Sequence, residues 1–432
     1  MASINDLLKE IESLPKGYLS RKVIHGKEYF YLQYKENGKL VSKYVKEKDL
    51  EELKSLLEKR NNLEKEIDEL LSKEKNLNHL SKTTLELTGY VMKQDVVVAE
   101  FDKGQTVFLN QNLAPLILIR THDLISFLSS RILDTSRTNA RLLKRILNVH
   151  GEEDYLIALK NHATSVTDDY WFKSKNSWLK YKDVAIDSDI YNEISLKGEL
   201  LYYPKEAKLS PQYSLLGSYE KCWRLIDNEW WIYKVGTKEE RLSEYLSALL
   251  SKKLGIPTAE YQLEDKYIKS KNFALNYNFE PLSSFCGDDD SYDYVFKKLY
   301  QLNQELAKQY LVLIWFDALV NNVDRHNENI GFLRDKKTGD IISLAPNYDL
   351  NMSLFAKNTL LINKKDGFID LFFKFVSKNE IAKSLYKNMT PPRLLEKDID
   401  DVLNEVDLKD YNFDLKKYLL YRYNVLLTIF NL

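Results

Sequence analysis

Hydrophobic and polar residues alternate along the first part of the chain. Between residues 17 and 45, Tyr, Phe, Leu and Val recur at every second position, and His25-Gly26 and Asn37-Gly38 interrupt the pattern. A period of two is typical of half-buried strands, and pairs of this kind favour tight turns between them. The pattern predicts a meander of three short strands.

A different pattern begins at Glu47 and continues to about Lys75. Hydrophobic residues now recur every three or four positions, at Leu53, Leu56, Leu63, Ile67 and Leu70. Arg60 occupies the one position of this series that is not hydrophobic. This spacing predicts a long amphipathic helix. Such a helix either packs against the preceding sheet or a neighbouring domain, or pairs with a second copy in a coiled coil, and the pattern fits both.

The remaining chain divides into further units. Strands are expected over Gln94–Phe101 and Gln105–Leu109, followed by helices from Thr121 onward, and a larger unit begins near Trp171. A chain of 432 residues is long enough for two or three domains. We predict four parts: an accessory unit at 1–80, a small subdomain at 85–150, a β-rich lobe at 151–275 and a helical lobe at 276–432.

Polar residues crowd the corner that follows an apolar helix predicted over Tyr310–Val320. Asp324 and Asn329 stand five positions apart in this corner. A kinase catalytic loop uses the same spacing for a proton-accepting Asp and a magnesium-binding Asn. The alternative is an ion-paired corner formed by Asp324, Arg325 and His326, in which Asn329 caps a turn.

A predicted hairpin follows the corner. Its strands are expected over 330–333 and 341–344, with the turn near Gly339, and Asp349 comes shortly after the second strand. Because an antiparallel hairpin returns to its starting point, Asn329 and Asp349 should converge. One carboxylate and one amide suffice for Mg²⁺, which completes its shell with water and phosphate oxygens.

A second set of candidate residues lies upstream. Lys234 ends a strand expected over 229–235, and Glu244 lies in a helix expected over 238–254. An ion pair between them would point the ammonium at the phosphates of ATP. Further upstream, Gly217 and the neighbouring Ser hydroxyls stand where a phosphate-covering loop belongs, although a single Gly between strands is also typical of a simple turn.

Together these motifs resemble a HipA-type serine/threonine kinase. The resemblance extends over roughly residues 87 to 432 and rests on three segments: Asp324-Arg325-His326 with Asn329, Leu344-Ala345-Pro346-Asn347-Tyr348-Asp349, and Ser214-Leu215-Leu216-Gly217 with Glu220-Lys221. It implies an α+β, bilobal protein-kinase-like fold, here extended at the N-terminus by the small sheet and long helix.

The resemblance also implies roles for individual residues. Asp324 would be the catalytic base, Asn329 and Asp349 would bind Mg²⁺, and Lys234 would hold the ATP phosphates. A Ser in the phosphate loop of such kinases can be autophosphorylated, and Ser214 stands at the matching position. Ser218 is a second candidate for this modification and for nucleotide binding.

Partners follow from the same resemblance. Members often arrest growth as toxins, in some cases by phosphorylating aminoacyl-tRNA synthetases, and a DNA-binding antitoxin restrains them. We therefore expect a protein acceptor such as a synthetase or another translation factor, together with an antitoxin partner. The added N-terminal unit and Ser218-Tyr219 in the loop depart from the family pattern, which bears on the partner and on the mode of inhibition.

Charge and composition add few constraints. Lys and Arg number 63 against 64 Asp and Glu, so only a local patch would attract nucleic acid. Residues 16–46 contain eight Lys or Arg and two Glu, which fits either nucleic-acid contact or a solvated or protein-docking face. The chain has two cysteines and no apolar run of membrane-spanning length, which predicts a cytoplasmic protein that does not enter a membrane.

Two alternatives to a protein kinase remain at this point. A small-molecule phosphotransferase would use the same Asp324, Asn329 and Asp349 and differ only in its acceptor pocket. A catalytically silent, nucleic-acid-binding regulator would instead use the basic segment 16–46 as its working surface.

Overall fold

The computed structural model describes most of the chain. The described residues are 10–11, 13–24, 27–36, 39–46, 48–60, 62–63, 87–102, 104–132, 153–187, 221–356, 367–390, 392–411 and 413–430. The predicted phosphate loop, with Ser214, Gly217 and Ser218, lies outside the described residues.

The N-terminal unit has the predicted three-stranded antiparallel meander. Its strands are β1 (Tyr18–Ile24), β2 (Lys27–Glu36) and β3 (Lys39–Val45). A helix follows over 48–60, and most of its predicted continuation to Lys75 lies outside the described residues. The Arg60 side chain donates hydrogen bonds to the carbonyls of Ile11 (2.8 Å) and Leu14 (3.2 Å). These bonds tie the helix to the segment before the sheet, as expected if it packs within its own unit.

A second antiparallel sheet has the strand order β6-β5-β4-β7. Its strands are β4 (Gly89–Lys93), β5 (Val96–Asp102), β6 (Gln105–Phe108) and β7 (Tyr170–Ser174). The predicted start of a strand at Gln94 was wrong, because Gln94 has φ of +48° in the turn between β4 and β5. The sequence pattern missed β4 because this strand is buried on both faces and so shows no alternation.

Short helices pack against this second sheet. They are a 3₁₀ turn (Gln111–Leu113), α1 (Leu116–Thr121), α2 (Leu124–Ser129), α3 (Asp154–Lys160) and α4 (Tyr181–Val184). The first α-helix therefore begins before the predicted Thr121. We call residues 87–187 the second unit. Because β7 completes its sheet, the unit extends past residue 150, although the four predicted domain boundaries stay predictions.

The third sheet has the order β10-β11-β9-β8. Its strands are β8 (Lys221–Ile226), β9 (Glu229–Lys234), β10 (Tyr261–Leu263) and β11 (Ile268–Lys271). Helix α5 (Lys238–Lys253) follows β9. A capping box fixes its start, since Thr237 Oγ1 accepts from the Glu240 N–H and Glu240 Oε2 accepts from the Thr237 N–H.

The C-terminal part combines a small sheet with most of the helices. The sheet contains β12 (Tyr277–Pro281), β13 (Gly331–Asp335) and β14 (Ile341–Leu344), all antiparallel. The helices are α6 (Ser283–Cys286), α7 (Tyr292–Leu302), α8 (Gln304–Val320), α9 (Gly367–Lys378), α10 (Glu380–Lys387), α11 (Glu396–Leu403) and α12 (Leu415–Phe430).

Helix α8 forms the centre of the largest hydrophobic core and ends at Asn321, which adopts the left-handed conformation with φ of +55°. The chain then turns into the polar corner and the predicted hairpin β13–β14. The α+β class is confirmed, with a β-rich part that contains Lys234 and a helical part that contains Asp324. Within the described residues, no helix is both long and apolar enough to cross a membrane.

Candidate active site

Lys234 joins the two parts of the site. Its Nζ lies 2.7 Å from Glu244 Oε1 in α5 and 2.7 Å from Asp349 Oδ1 beyond β14. The predicted Lys234–Glu244 ion pair is therefore present, and Asp349 completes a three-membered charge cluster. The Glu244 side chain is 1% exposed and the Asp349 side chain is 23% exposed. Only Asp349 of the two carboxylates is thus open to a ligand.

Backbone contacts bring Asp349 to this position. The Asn347 N–H donates to the Pro257 carbonyl (2.7 Å), and the Asn347 carbonyl accepts from the Ala259 N–H (3.0 Å). Two residues later the Asp349 N–H donates to the Tyr261 hydroxyl oxygen at 3.0 Å. The chain after β14 is thereby held along the start of β10, beside the end of β9.

The charges in the cluster determine its protonation. Burial by itself would raise the pKa of the Asp349 carboxyl, but the nearby cations Lys234, Lys221 and Arg325 together outweigh burial and lower that pKa to about 2. Burial would lower the pKa of Lys234, but Asp349 and Glu244 raise it well above its ordinary value. Burial raises the pKa of Glu244 despite the adjacent ammonium. At neutral pH the cluster therefore presents an ionised Asp349 beside a charged Lys234.

The polar corner after α8 positions Asp324 and Asn329. The Asn329 side-chain amide Nδ2 donates to the Asp324 carbonyl at 2.8 Å, and the Asn329 N–H donates to the His326 carbonyl at 2.9 Å. This turn is the cap expected in the structural alternative. It also fixes the orientation of the Asn329 amide and leaves its oxygen as the group for a metal or another ligand.

The buried side chain of Arg325 holds the polar corner in place. Its side chain is 4% exposed and donates five hydrogen bonds. Two reach the carboxylate of Asp317 in α8 (2.8 and 2.9 Å). The other three reach Asn329 O (2.6 Å), Tyr348 O (3.2 Å) and Asn347 Oδ1 (2.8 Å). One guanidinium therefore holds the backbone at Asn329 and the backbone next to Asp349, and it uses all five of its N–H donors.

The candidate residues of the cluster and of the corner face one cavity of about 720 Å³. This volume lies within the range of small-molecule and cofactor sites. Its lining includes Lys234, Tyr261, Asp324, Asn329, Tyr348 and Asp349. Pro115 and Ile117 of the second unit also contribute to the wall. The structure thus brings the predicted residues to one cavity, apart from the fully buried Glu244 behind Lys234 and the loop residues outside the described part of the chain.

The donor set at this cavity fits Mg²⁺. Asp349 supplies an ionised carboxylate and Asn329 an amide oxygen, and Mg²⁺ needs few protein ligands beside phosphate and water. Among the described residues, no group of three or more His, Cys, Asp or Glu side chains is arranged to hold a metal ion.

Sequence analysis missed several residues that shape the site. Asp317 is the one charged residue in the apolar second half of α8, from Tyr310 to Val320, and that exception is a signal of a buried partner. Asn347 lies in the segment already singled out, but its bonds to the segment before β10 have no sequence signature. Tyr261 likewise has no local motif, because its contact with Asp349 arises from residues 88 positions apart.

Comparison with family models identifies the domain that contains this site. Residues 213–407 match the model described as HipA-like C-terminal domain. The resemblance predicted from the motifs is thereby confirmed for the part of the chain that contains Lys234, Asp324 and Asp349. Residues 2–55 match a separate model, DUF6788, described as a domain of unknown function.

Solved structures with HipA-like or kinase descriptions are also similar to the chain. The proinflammatory kinase CtkA of Helicobacter pylori is 18% identical, the match covers 48% of this chain and 89% of that one, and the TM-score is 0.36. The HipA, HipB and operator DNA complex of Shewanella oneidensis MR-1 is 15% identical, with 80% and 97% covered and a TM-score of 0.46. At identities below 20% and TM-scores below 0.5, neither similarity indicates what activity this chain has. No curated protein matches the chain.

Proposed function

We propose that the chain is an ATP- and magnesium-dependent serine/threonine protein kinase of HipA type. The observation that supports this most directly is the Lys234 ammonium, which lies 2.7 Å from both Glu244 and Asp349. It does so at the cavity that Asp324 and Asn329 also line. A strand Lys, a helix Glu and two polar loops at one cavity form the set of groups that phosphoryl transfer requires.

The proposed reaction assigns one task to each group. Lys234, held by Glu244, binds the ATP phosphates, and Asp324 accepts the proton of the acceptor hydroxyl. That oxygen forms a bond to the γ-phosphorus while the bond from the γ-phosphorus to the bridging oxygen breaks, and ADP leaves. Asn329 and Asp349 would hold Mg²⁺, which when bound neutralises charge on the phosphates.

Further parts of the proposal rest on the motif resemblance. They are autophosphorylation at Ser214 or Ser218, growth arrest as a toxin, and an acceptor such as an aminoacyl-tRNA synthetase or another translation factor. An antitoxin partner belongs to the same group, whereas nucleic-acid contact through residues 16–46 rests on the basic composition of that segment. The Shewanella oneidensis complex contains both HipB and operator DNA.

Phosphate mapping tests the central proposal. The purified chain is incubated with ATP and Mg²⁺ beside an Asp324→Ala variant, and phosphate is located by intact-mass and peptide mass spectrometry. The control is Asp340→Ala, which removes an exposed carboxylate from the turn of the hairpin. We expect phosphate on the wild type and on the control, at Ser214 or Ser218, and none on Asp324→Ala.

Other outcomes separate the alternatives. ATP binding without transfer to protein, combined with labelled phosphate on added small molecules, would favour a small-molecule phosphotransferase. If calorimetry shows no ATP binding at all, the kinase proposal fails. Binding of nucleic acid that weakens steeply with salt would then favour the regulator that uses residues 16–46.

A further inference from the structure

A buried ion pair lies in the small sheet next to the site. Arg334 of β13 lies opposite Asn278 of β12 and reaches diagonally to Glu280 of the same strand. Its Nη1 lies 2.5 Å from Glu280 Oε1, and the side-chain exposures are 3% and 6%. A buried pair of this kind is weak evidence for stability, because desolvation offsets the attraction. The pair is important here because it fixes the relative positions of the groups that contact it. Those positions depend on the other hydrogen-bond partners of Arg334 and Glu280.

The second unit supplies most of the other partners of Arg334. The guanidinium donates to the carbonyl of Asn112 (2.6 Å), the carbonyl of Ala114 (2.8 Å) and the hydroxyl of Tyr170 (3.1 Å). Its Nε donates to the Gly339 carbonyl in the turn of the hairpin at 2.8 Å. One side chain thus joins the second unit to strand β13 and to the turn of the hairpin.

Glu280 makes the complementary contacts. Its Oε2 accepts from the Leu116 N–H at 2.6 Å, at the first turn of α1, and its Oε1 accepts from the Tyr170 hydroxyl at 3.1 Å. A carboxylate at this end of a helix satisfies a donor that has no partner within the helix. The pair therefore obtains much of its hydrogen bonding from the second unit, and separation of that unit would leave both charges under-paired.

The hairpin turn is also docked on the second unit. A Cβ on Gly339 would lie 1.9 Å from the Asn112 carbonyl oxygen, so the two backbones are in direct contact. The Lys93 ammonium of β4 donates to the Lys336 carbonyl in the same turn. The turn end of the hairpin is thereby fixed from outside its own sheet.

This docking has consequences at the other end of the hairpin. Asn329 lies two positions before the start of β13, and Asp349 lies five positions after the end of β14. The β13–β14 ladder has a register shift at Leu333/Arg334, where an irregularity weakens the pairing. Since the ladder alone does not fix the register well at that point, external contacts at Arg334 set where the ends of the hairpin lie.

We propose that Arg334 is a positioning residue for Asn329 and Asp349, and that the second unit is thereby a working part of the phosphotransfer site. The proposal rests on the proposed function for the roles of those two residues. Arg334 itself would contact neither nucleotide nor metal. It acts through the hairpin, which it holds against the second unit.

The test replaces both charges at once. Arg334→Met with Glu280→Met keeps similar volumes and leaves no unpaired charge, so the protein should still fold. The control removes a 2.8 Å pair far from the hairpin, by Lys416→Met with Asp400→Leu. Hydrogen exchange of the hairpin amides is compared with that of α5, and calorimetry measures ATP binding with and without Mg²⁺.

In the double variant we expect faster hydrogen exchange in β13–β14 but not in α5. We also expect the Mg²⁺ concentration that half-saturates ATP binding or turnover to rise about tenfold, because loss of groups that hold metal ligands has an effect of this order. ATP binding without Mg²⁺ should change little, because Lys234 and Glu244 are untouched. Unchanged hairpin exchange, or an unchanged Mg²⁺ half-saturation, would overturn the proposal. Since exchange is measured without catalysis, it tests the hairpin contact even if the wild type transfers no phosphate.

Discussion

Replacement of Arg325 by Met is the most informative single perturbation of the site. The change removes all five hydrogen bonds of the guanidinium. It leaves the carboxylate of Asp317, which is fully buried, with the Asn322 amide at 2.9 Å as its remaining side-chain partner in the corner. An uncompensated charge is then buried in the core of the helical part.

The magnitude follows from the loss of a buried partner. Breaking a buried ion pair on one side costs about 3 to 5 kcal/mol, and the free energy of unfolding of a whole protein is roughly 5 to 15 kcal/mol. For a domain of this size we expect the midpoint of thermal unfolding to fall by roughly 10 °C. Arg325→Lys should lie in between, because an ammonium keeps the charge but has three donors and no planar fork.

The assay is thermal unfolding followed by circular dichroism, with Arg393→Met as the control. Arg393 is exposed, and surface substitutions of this kind usually change the free energy of unfolding by less than about 0.5 kcal/mol. A double variant, Arg325→Met with Asp317→Leu, removes both charges. It should be less destabilised than Arg325→Met alone, because no unpaired carboxylate remains.

Two results would refute this reasoning. If Arg325→Met unfolds at the same temperature as the Arg393→Met control, water reaches Asp317 and the corner is not closed. If the double variant is destabilised more than Arg325→Met, Asp317 stabilises the fold without its arginine partner.

Three further predictions concern other parts of the structure. Because nearby cations, Lys234 foremost, hold the pKa of Asp349 at about 2, the stability advantage of the wild type over Asp349→Asn, measured by denaturant unfolding, should be complete above about pH 5 and be lost progressively as the pH falls through 2; an advantage that grows as the pH falls would contradict it. Gly339→Ala should destabilise more than Gly104→Ala, because both have φ of +79° but only the first meets a backbone oxygen; equal midpoints of unfolding would contradict the docking of the turn. Burial raises the pKa of the Cys286 thiol to about 11, so a thiol reagent at pH 8 should label it only on unfolding, and rapid labelling of the native protein would contradict its burial.

Local patterns in the sequence determined the elements near the site. The run Ile341–Leu344 was predicted as a strand and is one, and the helix expected over 238–254 ends one residue earlier. Hydrophobic periodicity and capping residues act over a few positions, so these elements can be inferred from neighbouring residues alone. The antiparallel pairing of β13 with β14 was predictable for the same reason, whereas the register shift at Leu333/Arg334 was not predicted.

Only the tertiary structure decided which distant groups meet. The spacing of Asp324 and Asn329 indicated a catalytic loop. The ion-pair partner of Arg325, however, depends on the packing of α8, which places Asp317 next to the buried side of the corner. Asp349 reaches Lys234 because Asn347 pairs with the segment before β10, and Arg334 depends on carbonyls about 220 residues away. Such contacts join residues with no common local pattern, since a buried charge takes whatever partner the folded chain brings near it. The candidate residues could therefore be named from the sequence, whereas the contacts that hold them in place could not.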